Sequence, residues 1–188
     1  MAIVTYLFGA GASAKSLPCV NDMANTAHSL WAPIHNLGLK IGNAGLKKYC
    51  EEVVADIKTL KEECGHDNFS IDTYAKQLYI RDQHQEYSAL KKRLALFFTL
   101  IQKLKPIDNR YDNFWAALLD RPTSFPKDIR IVSWNYDNQF ELSYQKFSGQ
   151  QDLHSSSALL NSLTPYSNTD MFEPSTFGLV KLNGTAKY

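Results

Sequence analysis

The chain has 188 residues, long enough for one domain with a real core or for a domain carrying a sizeable insertion. Its 20 Lys and Arg balance 19 Asp and Glu with no basic block, so nothing in the charge points to direct nucleic-acid binding. No apolar run approaches the roughly 20 residues that span a bilayer, and the first residues lack the charged and apolar regions of a signal peptide; a cytoplasmic protein without membrane association is expected.

Ile3 to Phe8 reads as a buried strand running directly into Gly9-Ala10-Gly11-Ala12-Ser13-Ala14. The spelling fits G-x-G-x-x-G/A, the junction by which a strand, a glycine turn and a helix start hold a nucleotide phosphate. Gly9 is expected to turn tightly at positive φ, Gly11 to let backbone N–H groups approach an anion, and Ala14 to let the helix pack closely on the strand. The competing reading is an ordinary strand-to-helix turn rich in small residues.

Ala14 to Leu37 is expected as a mixed helical and loop segment broken at Pro18 and Pro33. An ordinary dinucleotide-binding unit places a second strand and an acidic ribose ligand about 20 residues after the glycine turn. Ala27 to Leu39 holds no Asp or Glu and does not read as a strand, so a dehydrogenase layout fails.

The next stretch is helical. Leu46, Tyr49, Cys50, Val53, Val54, Ile57, Leu60 and Cys64 follow one helical stripe, with Gly65 as its stop. Ser70 or Asp72 can cap a short helix bearing Tyr74, Ala75, Leu78 and Tyr79. A third helix carries Tyr87, Leu90, Leu94, Phe97, Phe98, Ile101 and Leu104, and a fourth carries Phe114, Trp115, Leu118 and Leu119 before Pro122. Cys19, Cys50 and Cys64 are far apart, with no C-x-x-C pair. That excludes a zinc ribbon and a disulfide framework, and no metal is expected. Cys50 and Cys64 read as core fillers.

Strand signals return at Ile129–Trp134, which ends in Asn135-Tyr136-Asp137, and a helix follows from about Asn138 to Phe147. A last strand, Phe177–Leu182, ends in Asn183-Gly184-Thr185. Three strands thus finish in small or polar residues. In an open parallel sheet those ends meet in one crevice, where ligands bind. The expected organisation is an α/β, Rossmann-like parallel sheet formed by about 1–39 and 127–188, with an all-helical insertion over about 40–126.

Gly9-Ala10-Gly11-Ala12-Ser13, Trp134-Asn135-Tyr136-Asp137 and Lys181-Leu182-Asn183-Gly184 resemble, in order, the three motifs of sirtuin-like NAD-consuming domains: GAG-x-S, T-x-N-[YI]-D and [KLV]-x-H-G. More narrowly, they are similar to the sirtuin-like domains of bacterial anti-phage defence proteins. Those domains commonly carry a helical insertion where sirtuin deacetylases have a zinc module. The resemblance covers the opening 25 residues and Ile129 to Gly184. It implies hydrolysis of NAD to nicotinamide and ADP-ribose, with Gly9, Ala10, Gly11, Ala12 and Ser13 holding the pyrophosphate and adjacent ribose. It places Asn135 beside the nicotinamide ribose, Asp137 in the nicotinamide-side pocket, and Asn183 and Gly184 at the third motif. It also implies a defence effector kept quiet until a homo-oligomer, an activating protein partner or a fused C-terminal domain releases it.

Two departures matter. Asn183 stands at the family's catalytic histidine, and an amide cannot act as a general base near neutral pH. Three readings stay open: a branch that holds the ribose with Asn183, a non-catalytic NAD or ADP-ribose sensor, and an inactivating substitution. The family pattern also continues beyond the third motif, so a truncated domain is expected. A helical interaction module on a nucleotide-free scaffold is the remaining rival.

Among single residues, Asn135 is either catalytic or a strand-end turn former, and Asp137 is either a site residue or a cap for the following helix. His154 is either a loop histidine or a substitute base. Asp72 reads as a cap before it reads as a residue reaching the site from the insertion, and His28, His35, His66 and His84 read as surface residues.

Overall fold

The computed structural model describes residues 3–65, 70–165 and 176–186. In chain order its elements are β1 (Val4–Phe8), α1 (Met23–Lys40), α2 (Ala44–Cys64), α3 (Ile71–Ile80), α4 (His84–Leu104), α5 (Asn109–Leu118), β2 (Ile129–Ser133), α6 (Gln139–Ser148), α7 (Leu153–Leu159), β3 (Ser162–Leu163) and β4 (Gly178–Lys181). Two 3₁₀ turns, Ala10–Ser13 and Val20–Asp22, lie between β1 and α1. The chain divides into two units, one of Met1–Leu17 with Ile101–Ala186 and the other of Pro18–Leu100.

The first unit is α/β. Its four strands form one sheet in the order β1-β2-β4-β3, and every neighbouring pair is parallel. The carboxyl ends of β1, β2 and β4 therefore lie side by side along one edge of the sheet. Register sorts the side chains onto two faces: Tyr6 pairs with Ile131, and Ile131 with Leu179. That face packs on α5 and α6 through Tyr111, Trp115, Phe140 and Tyr144, all buried. Phe8 meets Tyr111, Phe114 and Phe140 at ring separations of 5.3–5.8 Å, so an aromatic cluster roots β1 beneath the glycine turn.

The other face carries the row Leu7, Val132, Val180 and Leu163, none of them buried among the described residues. β1 was expected to be a buried strand, and it is not. Ile3 and Leu7 are each 63% exposed, because β1 lies at the end of the strand order and only one of its faces meets a helix.

The second unit is helical. α1 packs along α2, and Gly38 makes that approach possible, since a Cβ there would come 2.9 Å from the Cys50 Cβ. α1 is continuous through Pro33, contrary to the expected break. The bond lost at Pro33 is the one to the Ser29 carbonyl; both residues are exposed, so water can replace it. Asn43 caps α2, and Ser70 caps α3 by accepting the Thr73 N–H, which settles the choice between Ser70 and Asp72. Arg93 and Glu63 form a two-pronged ion pair at 2.9 and 2.5 Å, with side chains only 14% and 10% exposed. Cys50 is buried and Cys64 half-buried.

The unit boundaries also place α1 with the helical unit and α5 with the sheet, whereas the sequence grouped 1–39 with the core and ended the insertion near 126. The reason lies in the partners: α1 spends its apolar side on α2, and α5 spends its own on α6.

No described helix is long and apolar enough to cross a membrane.

Candidate functional site

The glycine turn follows β1 directly. Its form differs from the expectation: Gly9 has φ −110° and ψ −175°, extended backbone, and Ala10–Ser13 closes a single 3₁₀ turn in place of an α-helix start. Ala12 N–H donates to the Gly9 carbonyl at 2.9 Å. Pro18 lies too close for a longer helix to form, since its ring removes a donor and restrains the residue before it.

Neither backbone nor packing demands glycine in this turn. Only Gly149 and Gly184 have positive φ among the described glycines, and a Cβ on Gly9 or Gly11 meets nothing within 4 Å. Open space lies in front of both residues. Gly184, at the end of the β4 motif, has φ +78° and likewise faces open space. Gly9, Ala10 and Gly11 are exposed, Ala12 is half-buried against the aromatic core, and Ser13 is buried.

Ser13 is the centre of a buried polar cluster. Its hydroxyl lies 2.9 Å from the Tyr111 hydroxyl and accepts the Asn135 Nδ2–H at 3.3 Å. Ser13 also favours the ionised Asp137 carboxyl, and Ser13 and Asn135 the ionised Tyr111 phenol, each against the larger effect of burial. The first and second motifs are thus joined by direct side-chain contact between residues 122 positions apart. Ser133 supports the loop by accepting the Asn135 backbone N–H at 3.1 Å.

Asp137 takes the capping role left open for it. Its Oδ1 accepts the N–H of Gln139, the first residue of α6, at 2.9 Å, while its carboxylate also faces Ser13. Burial pushes its carboxyl above the ordinary value, opposed by Lys181 and by the N–H groups that donate to it. Burial, with Asp137 nearby, raises the Tyr111 phenol too, so that hydroxyl keeps its proton at any ordinary pH.

Beneath the loop, Lys181 is only 1% exposed. Its ammonium donates to the Asp137 backbone carbonyl and pairs with Glu141 at 3.2 Å, which is equally enclosed. Lys181 therefore ties the end of β4 to the β2–α6 loop.

Asn183 and Asn135 do not meet through a recorded contact. Asn183 is exposed, and its Nδ2 donates to the Trp134 carbonyl at 2.9 Å. The Asn183 amide therefore braces the β2 loop from the β4 side. Further along, Ala186 N–H donates to the Tyr136 carbonyl at 2.7 Å. Trp134 and Tyr136 stay exposed beside these ends.

Sequence reasoning missed Tyr111, Asp108, Lys181 and Glu141 as parts of this assembly. Asp108 caps α5 through the Arg110 N–H and also accepts the Lys15 N–H at 3.1 Å, clasping the residues that follow the glycine turn. Gln139 accepts the Asp108 N–H at 2.8 Å. The Arg110 guanidinium, hydrogen-bonded to Asp108, holds that carboxyl down to about 2. The only foreshadowing was Lys181 inside the third motif.

His154 lies in the first turn of α7, exposed, in a helix where a loop was expected. His28, His35 and His84 are exposed, and His66 lies outside the described residues. Asp72 is exposed in the first turn of α3. Among the described residues no group of three His, Cys, Asp or Glu is placed to hold a metal ion.

Chemically, the edge offers an open approach at two glycines, a buried carboxamide, a carboxyl and hydroxyls, with no strong nucleophile among them. Comparison with protein-family models, with curated proteins and with solved structures gives no match to this chain.

Proposed function

We propose that the sheet unit is a sirtuin-like NAD-binding domain that hydrolyses NAD to nicotinamide and ADP-ribose. The observation that carries the reading is the meeting of Gly9–Ser13, Asn135–Asp137 and Asn183–Gly184 at adjacent carboxyl ends of three parallel strands. Open space before Gly9 and Gly11 fits a pyrophosphate lying against the backbone.

In this reading Gly9 to Ser13 hold the pyrophosphate and adjacent ribose. Asn135 lies beside the nicotinamide ribose and Asp137 on the nicotinamide side. The N-glycosidic bond breaks, nicotinamide departs neutral, and water supplies the oxygen that returns the cationic ribose carbon to ADP-ribose, releasing one proton to solvent. Such a step needs positioned polar groups more than a nucleophile. A role as an anti-phage defence effector, with an activating partner or assembly, rests on the motif resemblance alone.

A second reading, a non-catalytic NAD or ADP-ribose sensor, is favoured by one observation. Asn183 cannot serve as a base, and its amide is engaged with the Trp134 carbonyl. Incubating the protein with NAD and measuring free nicotinamide separates the two. The hydrolase reading expects release, reduced about 100-fold or more in Asn135→Ala. Binding of NAD without release, with release appearing in Asn183→His, establishes the sensor. Release that Asn135→Ala leaves untouched removes the site assignment.

A further inference from the structure

We propose that Tyr111, on α5 and outside all three motifs, is the positioning residue of this site: it fixes Ser13 and Asn135 so that Asn135 presents its carbonyl oxygen to the ligand. The inference deepens the NAD reading and rests on it for the identity of that ligand.

The argument is geometric. A serine hydroxyl has one proton to give and two lone pairs to receive. Asn135 Nδ2 donates to Ser13 Oγ at 3.3 Å, and Tyr111 Oη lies 2.9 Å from the same oxygen. Tyr111 therefore fixes the hydroxyl that in turn holds the amine end of Asn135.

With its amine end held at Ser13, Asn135 has Oδ1 left as the group for a ligand. An acceptor in that place selects a donor, a ribose hydroxyl or a water molecule, and repels phosphate oxygens. The terminal groups of the ligand are thus sorted: phosphate to the glycine turn, hydroxyl to Asn135.

Tyr111 suits the task for two further reasons. Its ring is held edge-on by Phe8 and Phe140 at 5.8 and 5.6 Å, so the hydroxyl is aimed by a rigid side chain. Its phenol is 3% exposed and keeps its proton, so the donor is permanent.

The test is Tyr111→Phe, which keeps the ring and removes the hydroxyl. The first readout is the Asn135 side-chain amide in ¹⁵N-resolved NMR of the full chain, with assignment by Asn135→Asp. The inference expects slow exchange with water in the parent chain and exchange at least tenfold faster in Tyr111→Phe, with no other assigned side-chain amide altered. An unchanged Asn135 amide overturns the inference, whether or not the protein cleaves NAD. The second readout is nicotinamide release. It should fall at least tenfold in kcat with KM within twofold, and the substitution should add less than twofold in a Ser13→Ala background. Equal losses in both backgrounds contradict action through Ser13. If the amide responds as expected while the parent chain neither binds nor cleaves NAD, Tyr111 keeps its positioning role and the NAD reading falls.

Discussion

Lys181→Met removes the cation on which the β2–α6 loop and the end of β4 both depend. The ammonium pairs with Glu141 at 3.2 and 3.4 Å and donates to the Asp137 carbonyl, and both charged side chains are 1% exposed. Breaking one side of a buried pair leaves an uncompensated charge, at a cost of about 3–5 kcal/mol. The orphaned Asp137 carbonyl adds about 1 kcal/mol or more. For a chain of this size each kcal/mol moves the midpoint by about 2–4 °C, so the sheet unit should melt about 10–20 °C lower. Urea and thermal unfolding followed by tryptophan fluorescence read this well, because Trp115 sits fully buried in that core. Lys181→Met/Glu141→Leu removes both charges and should recover most of the loss. A single variant within about 1 kcal/mol of the parent, or a double variant no better than the single, would refute the reasoning.

Two pH-dependent predictions follow from opposite shifts. Burial raises the Asp137 carboxyl above 3.8, so the folded chain holds that proton more tightly than the unfolded one. The resulting stabilisation is complete below about pH 4 and is lost as the pH climbs through the raised value. Asp137→Asn has no such proton to lose, so its melting temperature relative to the parent should rise between pH 4 and 7; a constant or falling difference contradicts the assignment. Arg110 holds Asp108 down to about 2, which gives stability present above 3.8 and lost as the pH falls through the lowered value. Arg110→Met should therefore be less stable than the parent at pH 6, with the difference closing in chemical denaturation between about pH 4 and pH 2.

Much of the scaffold was legible in local pattern. β1, β2 and β4 announce themselves as short β-branched and aromatic runs ending in small or polar residues, and α2 and α4 by apolar spacing. Their parallel pairing then brings the three motifs together. What the pattern concealed is tertiary. Ser13 and Tyr111 are 98 residues apart, Lys15 and Asp108 93, and Lys181 and Asp137 44. None of these pairs leaves a periodic trace, and Lys181 and Glu141 look like ordinary surface charges until the fold encloses them. α1 misled for a different reason: Pro33 breaks a helix only where the lost bond matters, and here it faces water. The glycine turn misled in form, since Gly9 takes an extended conformation open to any residue, with open space before it.

That last point supplies the most direct measurement. Gly9→Val places a side chain on backbone that suits it, in space where its Cβ meets no protein atom within 4 Å, so the fold should melt within a few degrees of the parent. The same side chain fills the approach assigned to the pyrophosphate. Calorimetric titration with NAD is predicted to show one site per chain in the parent and no detectable binding in Gly9→Val. Parent-like binding by a normally folded Gly9→Val chain, or no binding by the parent, would contradict the account.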